Sequence, residues 1–385
     1  MTSNPQKTVL QPKILHFYRT YYPDTFGGIE QVINQLCQAT AEQGFQNDVL
    51  TLSRNARPET LSYPGHQVHR AHLDLEIASN GFSISAIRMF SSLAAKADIV
   101  HYHFPWPFAD LAHFLVRHGK PTVVTYHSDI VRQKVLRKVY YPLMQRFLSA
   151  TDQIVATSPN YLASSPVLQA FQEKVQIIPF GLSPNSYPKA SKEKLATWRN
   201  QLPEKFFLFV GALRYYKGLH VLLDALPGAD YPTVILGGGP AEDELRAHAK
   251  RNGLANILFL GALPDEDRAA LLNLCTAIVF PAHLRSEAFG IFLLEAAMHG
   301  KPMISTELGT GTSYVNADGK TGYVVPPNDA PALRKAMDEL WGKPALVKKM
   351  GTAAKQRFQE LFSAEKMAAE YISVYNQLLS NPKNR

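Results

Sequence analysis

The sequence predicts an α/β protein of two doubly wound parallel-sheet domains facing each other across a cleft. Three observations carry that expectation. Short β-branched runs alternate with helical patterns along almost all of the 385 residues. The alternation breaks once, at "GLSPNSYPKASKEK" (181–194), where Pro, Ser and Lys crowd together. Glycines, cations and unusual acids gather at strand ends, where sheets of this kind bind their ligands.

In the first half, strands are expected at 13–18, 46–52, 98–103, 121–126, 152–157 and 175–179. Helical patterns lie between them near 29–43, 84–96, 107–118, 131–149 and 159–171. A linker and a short polar helix follow, joining the halves near 181–205. The rhythm then restarts, with strands at 206–211, 233–238, 256–261, 277–282, 302–306 and 322–326. Their helices fall near 217–227, 241–252, 265–274, 290–299, 329–341 and 344–360, with a last amphipathic helix at 364–379.

Apolar residues make up 46 % and charged residues 19 %, the balance of a well-packed globular chain. No stretch approaches the roughly 18 apolar residues of a membrane span. "MTSNPQKTVLQPK" lacks the apolar centre of a signal peptide. Cys37 and Cys275 sit in apolar surroundings and are expected as buried free thiols, which fits a reducing cytoplasm. The net charge of +8 is compatible with anionic ligands, nucleic acid or an anionic membrane.

Taken along the chain, the first motif is "RTYYPDTFGGIEQVI". Gly27 and Gly28 precede a helix, so their backbone could approach a phosphate, or they form a plain turn. "VHYHFPWP" and "TYHSDI" put His101, His103, His127 and Asp129 at the ends of two strands. His66, His69 and His72 recur at i, i+3, i+6, but no carboxylate or thiolate cluster accompanies them, so no metal site is expected. In "VGALRYYKG", Arg214 and Lys217 stand at a strand-to-helix turn and suit a diphosphate. "ILGGGPAEDEL" offers Gly238 and Gly239, yet Glu242 stands where a dinucleotide fingerprint has its third Gly. Asp265 and Asp267 open a helix, where acids favour the macrodipole over a metal.

"SEAFGIFLLEAAMHG" (286–300) is the most informative stretch. A helix should start near Gly290, with free N–H groups suited to an anion. Glu287 lies just outside that end. Glu295 lies inside an apolar run, about 7–8 Å along the axis. Either a buried cation pairs with Glu295, or a long ligand with phosphates between two sets of hydroxyls reaches both acids. A nucleoside diphosphate sugar has that shape.

The E-x7-E pair in "EAFGIFLLE", with "GGIE", "TYHSD", "GALRYYKG", "GGGP" and "TGYVVPPND", resembles the retaining glycosyltransferases of family 4 over nearly the whole chain. "LGTGTSYV" stands where many members carry a glycine-rich segment, and Ala212 replaces the usual Arg. The resemblance implies the GT-B fold of two facing Rossmann-like domains: an acceptor domain at 1–185 and a nucleotide-sugar domain at 186–362. Residues 363–385 would cross back to the first. It implies that Arg214 and Lys217 bind the donor diphosphate, that Phe289, Gly290 and Ile291 offer it N–H groups, and that Gly27, Gly28, Gly238 and Gly239 line the donor. Glu287 would face the donor sugar, Glu295 the ribose, and His127 the anomeric centre.

The implied reaction is metal-independent hexosyl transfer with retention, without a cofactor beyond the donor. "GALRYYKGLHVLLDAL" and "ELGTGTSYVNADGKTG" resemble the mannosyltransferase-like branch of bacterial surface-polysaccharide synthesis, which favours GDP-mannose over a UDP-sugar and a glycan or lipid-linked oligosaccharide acceptor. "IVRQKVLRKVYYPLMQRFL" (130–148) reads as a basic amphipathic helix, either facing solvent or seated on anionic lipid. The expected place is the cytoplasm, peripheral at the inner membrane face. The rivals are a sugar-nucleotide epimerase of the same architecture and a non-catalytic binder of anionic ligands. Nucleic acid is not an expected partner, because aromatics and basic residues do not interleave as a stacking platform needs.

Overall fold

Parallel strands buried on both faces come from continuous apolar runs, and the chain supplies two sets of them. The computed structural model describes residues 11–77, 80–130 and 134–381, and the side chains of 134–137 lie outside that description. The first half contains β1 (Lys13–Phe17), β2 (Gln46–Ser53), β3 (Thr60–Tyr63), β4 (His66–His72), β5 (Leu75–Ile77), β6 (Asn80–Phe82), β7 (Ile99–Phe104), β8 (Thr122–Tyr126), β9 (Gln153–Ala156) and β10 (Val175–Ile177). The second contains β11 (Phe207–Val210), β12 (Thr233–Leu236), β13 (Ile257–Gly261), β14 (Ala277–Phe280), β15 (Met303–Thr306) and β16 (Gly322–Val325).

The first sheet runs β10-β9-β8-β7-β1-β2-β4-β3 and the second β13-β12-β11-β14-β15-β16. Every pairing within these two sheets is parallel except β3 with β4, and β5 and β6 form a separate antiparallel pair. In each sheet the strand order reverses beside the first parallel strand, at β1/β7 and β11/β14. That is the doubly wound arrangement, in which the reversal opens a crevice at the carboxyl ends. The expected α/β class and both sheets are therefore present.

Three local differences appear, two of them with plain causes. β3 to β6 were not expected, because "HQVHRAH" is polar. It lies near the sheet edge and alternates between buried and exposed positions. As a strand it sends His66 and His72 to one face and His69 to the other. His66 bonds Tyr21 OH, His69 bonds Asp48 and His72 bonds Asp74, so the three do not converge. The helix expected at 159–171 is two, Pro159–Ser164 and Pro166–Ala170, split where Pro166 cannot continue the first and Ser165 caps the second. A short helix, Gly311–Val315, was also not expected.

Asp267 lies in the first turn of the Asp265–Leu274 helix without capping it. Its carboxylate instead accepts from Lys194 Nζ at 2.8 Å and Trp198 Nε1 at 2.9 Å, fastening the linker helix Lys192–Gln201.

The chain passes between the two sheets twice, and the crossings are hydrogen-bonded to each other. Leu182 N donates to Phe362 O at 2.9 Å, and Ala364 N donates to Leu182 O at 3.1 Å. Gly181 is needed here, because a Cβ on it would collide with the Ser363 backbone. The Ala364–Ser380 helix then packs on the Gly28–Ala41 helix of the first half. Its Tyr375 OH bonds His101 Nδ1 at 2.8 Å, and Tyr371 OH bonds Thr125 Oγ1 at 2.7 Å. Cys37 and Cys275 are buried free thiols. No described helix is long and apolar enough to cross a membrane.

Candidate active site

The carboxyl ends of the two sheets meet at the Ile291–Met298 helix. Gly290 precedes it at φ 80°, a left-handed backbone that favours glycine. Among the described residues, no partner takes the backbone N–H of Phe289, Gly290 or Ile291. These are the donors that a helix start leaves free. Across the cleft, a Cβ on Gly28 would lie 3.2 Å from Ile291 Cγ1. The glycine loop of the first sheet thus faces the helix start of the second at contact distance.

The loop before this helix is held from both sides. Gly311 N donates to Ala288 O at 2.8 Å, and Thr310 Oγ1 donates to Glu287 O at 2.9 Å. Gly311 has no room for a Cβ, which would meet Phe289. This accounts for "LGTGTSYV": the segment braces the Glu287–Gly290 loop. Phe289 is buried and packs on Phe180, ring centroids 4.8 Å apart, and Phe180 packs on His127 at 5.4 Å. Arg285 adds a polar bridge to the first sheet through Asp129 and Ser164.

Lys217 Nζ lies 2.5 Å from Glu287 Oε2. Burial acts to lower the Lys217 pKa, but the adjacent Glu287 carboxylate outweighs it and holds the ammonium above its ordinary range. Lys217 also sits 4.7 Å from the centre of the Phe280 ring. Gly218 follows at φ 70°, where a Cβ would strike the Pro281 carbonyl. The tight Arg214–Gly218 turn is what brings Lys217 back over the sheet end. Arg214 is exposed beside it.

Glu295 is 3 % exposed. Tyr187 OH donates to its Oε1 at 3.4 Å, and Arg268 Nη1 stands 3.7 Å from its Oε2. That Oε2 has no hydrogen-bond partner. Burial raises the Glu295 pKa, with Arg268 opposing. Gln31, on the helix that begins at Gly28, bonds Tyr187 and also acts on Glu295, so the acid reaches the first half of the chain. The cation that one reading of the sequence expected beside Glu295 is present as Arg268, and Oε2 is left without a hydrogen bond among the described residues.

His127 is buried, with Nε2 2.9 Å from His103 Nδ1 and Nδ1 without a partner. Gly238 and Gly239 lie in a different relation. A Cβ on Gly239 would come within 2.6 Å of Leu213 O, and Leu213 N donates to Gly238 O at 3.0 Å. These glycines let the β12 loop stack on the Arg214 loop. Gly27 opens the helix that carries Gln31. The structure therefore gathers Gly28, Lys217, Glu287, Phe289, Gly290, Ile291 and Glu295 around one helix start, with His127 joined to them through Phe180. Sequence reasoning missed Arg285, Tyr187, Gln31 and Phe180, which lie far from their partners in the chain.

Two family models together match most of the chain: Glycosyltransferase Family 4 over residues 26–185 and Glycosyl transferases group 1 over residues 191–357. The D-rhamnosyltransferase WbpZ of Pseudomonas aeruginosa is 57 % identical over 91 % of this chain and 92 % of its own length. The O-antigen chain mannosyltransferase C of Escherichia coli is 49 % identical over 96 % of this chain and 99 % of its own. Among solved structures, sucrose-phosphate synthase from Thermosynechococcus elongatus superposes with a TM-score of 0.79 at 21 % identity, covering 96 % of this chain and 100 % of that one. Anabaena HepE in complex with UDP and glucose gives 0.77 at 19 % identity, covering 95 % and 100 %. These two establish likeness of fold.

Proposed function

The chain belongs to glycosyltransferase family 4, and from that premise we propose that it moves a hexose from a nucleoside diphosphate sugar to a hydroxyl of a growing surface polysaccharide, with retention at the anomeric carbon. The observation that carries the donor assignment is Glu295 Oε2, a buried carboxylate oxygen that faces Arg268 at 3.7 Å but accepts no hydrogen bond among the described residues, on a helix whose start has free N–H groups. A ribose hydroxyl would donate to that oxygen while the N–H groups of Phe289, Gly290 and Ile291 receive the diphosphate.

In the reaction, the bond from the anomeric carbon to the diphosphate oxygen breaks and the acceptor oxygen bonds to the same face. The acceptor proton passes to the departing diphosphate. Charge grows on that diphosphate, where Lys217, Arg214 and the helix start would stabilise it, so the chemistry proposed uses no metal. Glu287 would hold Lys217 in place and accept from the donor sugar.

The similarity to a mannosyltransferase and a D-rhamnosyltransferase favours a D-manno-configured donor, because D-rhamnose is D-mannose without the oxygen on C6. GDP-mannose is the first candidate and UDP-sugars the alternative. The acceptor proposed is a glycan or lipid-linked oligosaccharide. Leu115, Val139 and Tyr141 are exposed on the first half, and Leu115 lines an open cavity of about 720 Å³ together with Arg117, Lys120 and Arg146. An anionic membrane surface suits that combination. Residues 131–133 of the basic segment, and the side chains of 134–137, lie outside the described residues. The place proposed is therefore the cytoplasmic face of the membrane.

A thermal-shift panel of GDP- and UDP-sugars on the wild type and Glu295→Ala tests the donor site. One nucleotide should stabilise the wild type and lose most of that effect in the variant. Product with inverted anomeric configuration by NMR would refute the retaining assignment.

A further inference from the structure

The loop between β1 and the Gly28–Ala41 helix sorts its side chains to two sides. Arg19, Thr20, Asp24 and Thr25 line a crevice of about 440 Å³ beside the end of β2. Tyr22 and Phe26 are not part of that lining. They stack on each other, ring centroids 5.0 Å apart and planes 28° from parallel. Tyr22 in turn packs on Tyr21 at 5.0 Å and on Tyr63 at 6.2 Å, and Tyr21 OH bonds His66 Nε2 at 3.0 Å. Phe26 is thus backed by a fixed aromatic stack, yet it is 79 % exposed.

A lone exposed apolar side chain needs no explanation. A phenyl ring held out on a braced turn does. Asp24 N and Thr25 N both donate to Tyr21 O, at 3.1 and 3.2 Å. Thr25 Oγ1 donates to Glu30 Oε1 at 2.7 Å, and the buried Arg70 donates from Nη2 to Asp24 Oδ1 at 2.8 Å. The turn below the ring is therefore fixed from both ends, and the ring is ready for a flat ligand without reordering the loop.

Its position relates it to the donor site. Phe26 stands two residues before Gly28, which faces Ile291 at the helix start. One turn further on, Gln31 bonds Tyr187, whose hydroxyl reaches Glu295 Oε1 at 3.4 Å. The first turn of one helix thus tracks the first turn of the other, from the phosphate end to the ribose end. Burial pushes the Tyr22 hydroxyl up to about 12, and the charges that act on it include Asp265 and Arg268 of the second half. Arg268 is the cation 3.7 Å from Glu295 Oε2. A ribose bonded to Glu295 would carry its base away from the phosphates, toward this side of the cleft.

We propose that Phe26, backed by Tyr22, is a stacking surface for the base of the donor nucleotide, so that the first half of the chain takes part in base recognition and favours a purine over a pyrimidine. This rests on the reading of the cleft as a nucleotide-sugar site. Every base presents a π face to an aromatic ring, and a purine presents the larger one. Polar side chains face the crevice on the other side of the loop, so the loop separates hydroxyl-rich ligands from the base.

The test is calorimetric titration of GDP, UDP and inorganic pyrophosphate into the wild type, Phe26→Ala and Phe26→Trp. Phe26→Ala should weaken GDP roughly 5–30-fold, weaken UDP less and leave pyrophosphate unchanged. Removing so exposed a ring should leave the urea midpoint where it was. Phe26→Trp should bind GDP at least as tightly as the wild type, and its added fluorescence should be quenched by GDP and not by pyrophosphate. Wild-type GDP affinity in Phe26→Ala would overturn the proposal while leaving the donor site standing. A raised KM for the acceptor with unchanged GDP affinity would overturn it too, and assign the ring to the acceptor. If the wild type binds neither nucleotide, the donor-site reading fails and this proposal falls with it.

Discussion

Arg285 Nη2 lies 3.1 Å from Asp129 Oδ2, an ion pair between a loop of the second sheet and the strand-end segment of the first. Arg285 Nη1 also donates to Ser164 Oγ at 2.9 Å and Leu308 O at 3.0 Å, while Asp129 Oδ1 accepts from Tyr126 OH and Ser165 Oγ. Arg285 is two residues from Glu287, so this bridge sets how the acid faces the first half of the chain. Arg285→Ala should lower kcat/KM for the donor by about 10-fold or more, as expected when a positioned group shifts. Stability should change by only about 1 kcal/mol, because the two side chains are 30 % and 18 % exposed. Arg285→Lys should recover little, since an ammonium lacks the fork that reaches several acceptors. Steady-state kinetics beside urea unfolding separate the two effects.

Lys217 and Glu287 are a buried pair, and removing either half leaves the other charge buried without its counterpart. Lys217→Ala takes away a cation that meets the growing charge of the diphosphate, and should cost roughly 10–1000-fold in kcat/KM. Glu287→Ala leaves an ammonium buried without its counter-charge, and should also destabilise the fold by about 3–5 kcal/mol. A Glu287→Ala protein with wild-type unfolding free energy would show that the pair is more hydrated than its exposures of 13 % and 11 % imply.

Glu295 gives a pH dependence with a definite sign. Burial raises its pKa, so above the ordinary carboxylate value the folded protein holds a proton that the unfolded chain has lost. Stability contributed here is greatest in acid and declines as pH rises through the folded pKa. Glu295→Gln should remove that decline. The measurement is the urea midpoint of both proteins from about pH 4 to about pH 8. A decline of equal slope in the variant would assign it to other groups.

The buried histidines act in the opposite direction. His16 and His127 take a proton near pH 6.5 when unfolded but only near about 3 when folded. In that window the unfolded chain binds more protons, so stability is full above pH 6.5 and is lost as pH falls, by at most about 1.4 kcal/mol per pH unit for each group. His16→Phe should flatten the slope by about one such group, measured as unfolding free energy against pH.

How much of this was legible in the sequence follows from how local each signal is. Glu295 stood out because an acid inside "GIFLLEAAM" breaks an apolar run, and Gly290 marked the helix start one turn before it. The strands of both sheet centres were visible because burial on two faces leaves mostly apolar residues, with the histidines of β1 and β7 as exceptions. "HQVHRAH" misled, since its histidines also fit a ligand spacing and only pairing with β2 and β3 reveals a strand. Arg285 and Asp129 are 156 positions apart, and His16 and His103 are 87 apart. Nothing in the neighbourhood of either member announces the other, because tertiary packing alone brings them together.

The Ala364–Ser380 helix lies against the first half of the chain, with Tyr375 and Tyr371 closing over His101 and Thr125. On the ribosome this gives the protein an unusual timetable. The first sheet emerges early but keeps the face that carries His101 and Thr125 uncovered until the entire second sheet has been synthesised. A nascent chain stalled before Ser363 would present that face to chaperones, and synthesis of the Ala364–Ser380 helix, more than completion of either sheet, would be the event that lets them go.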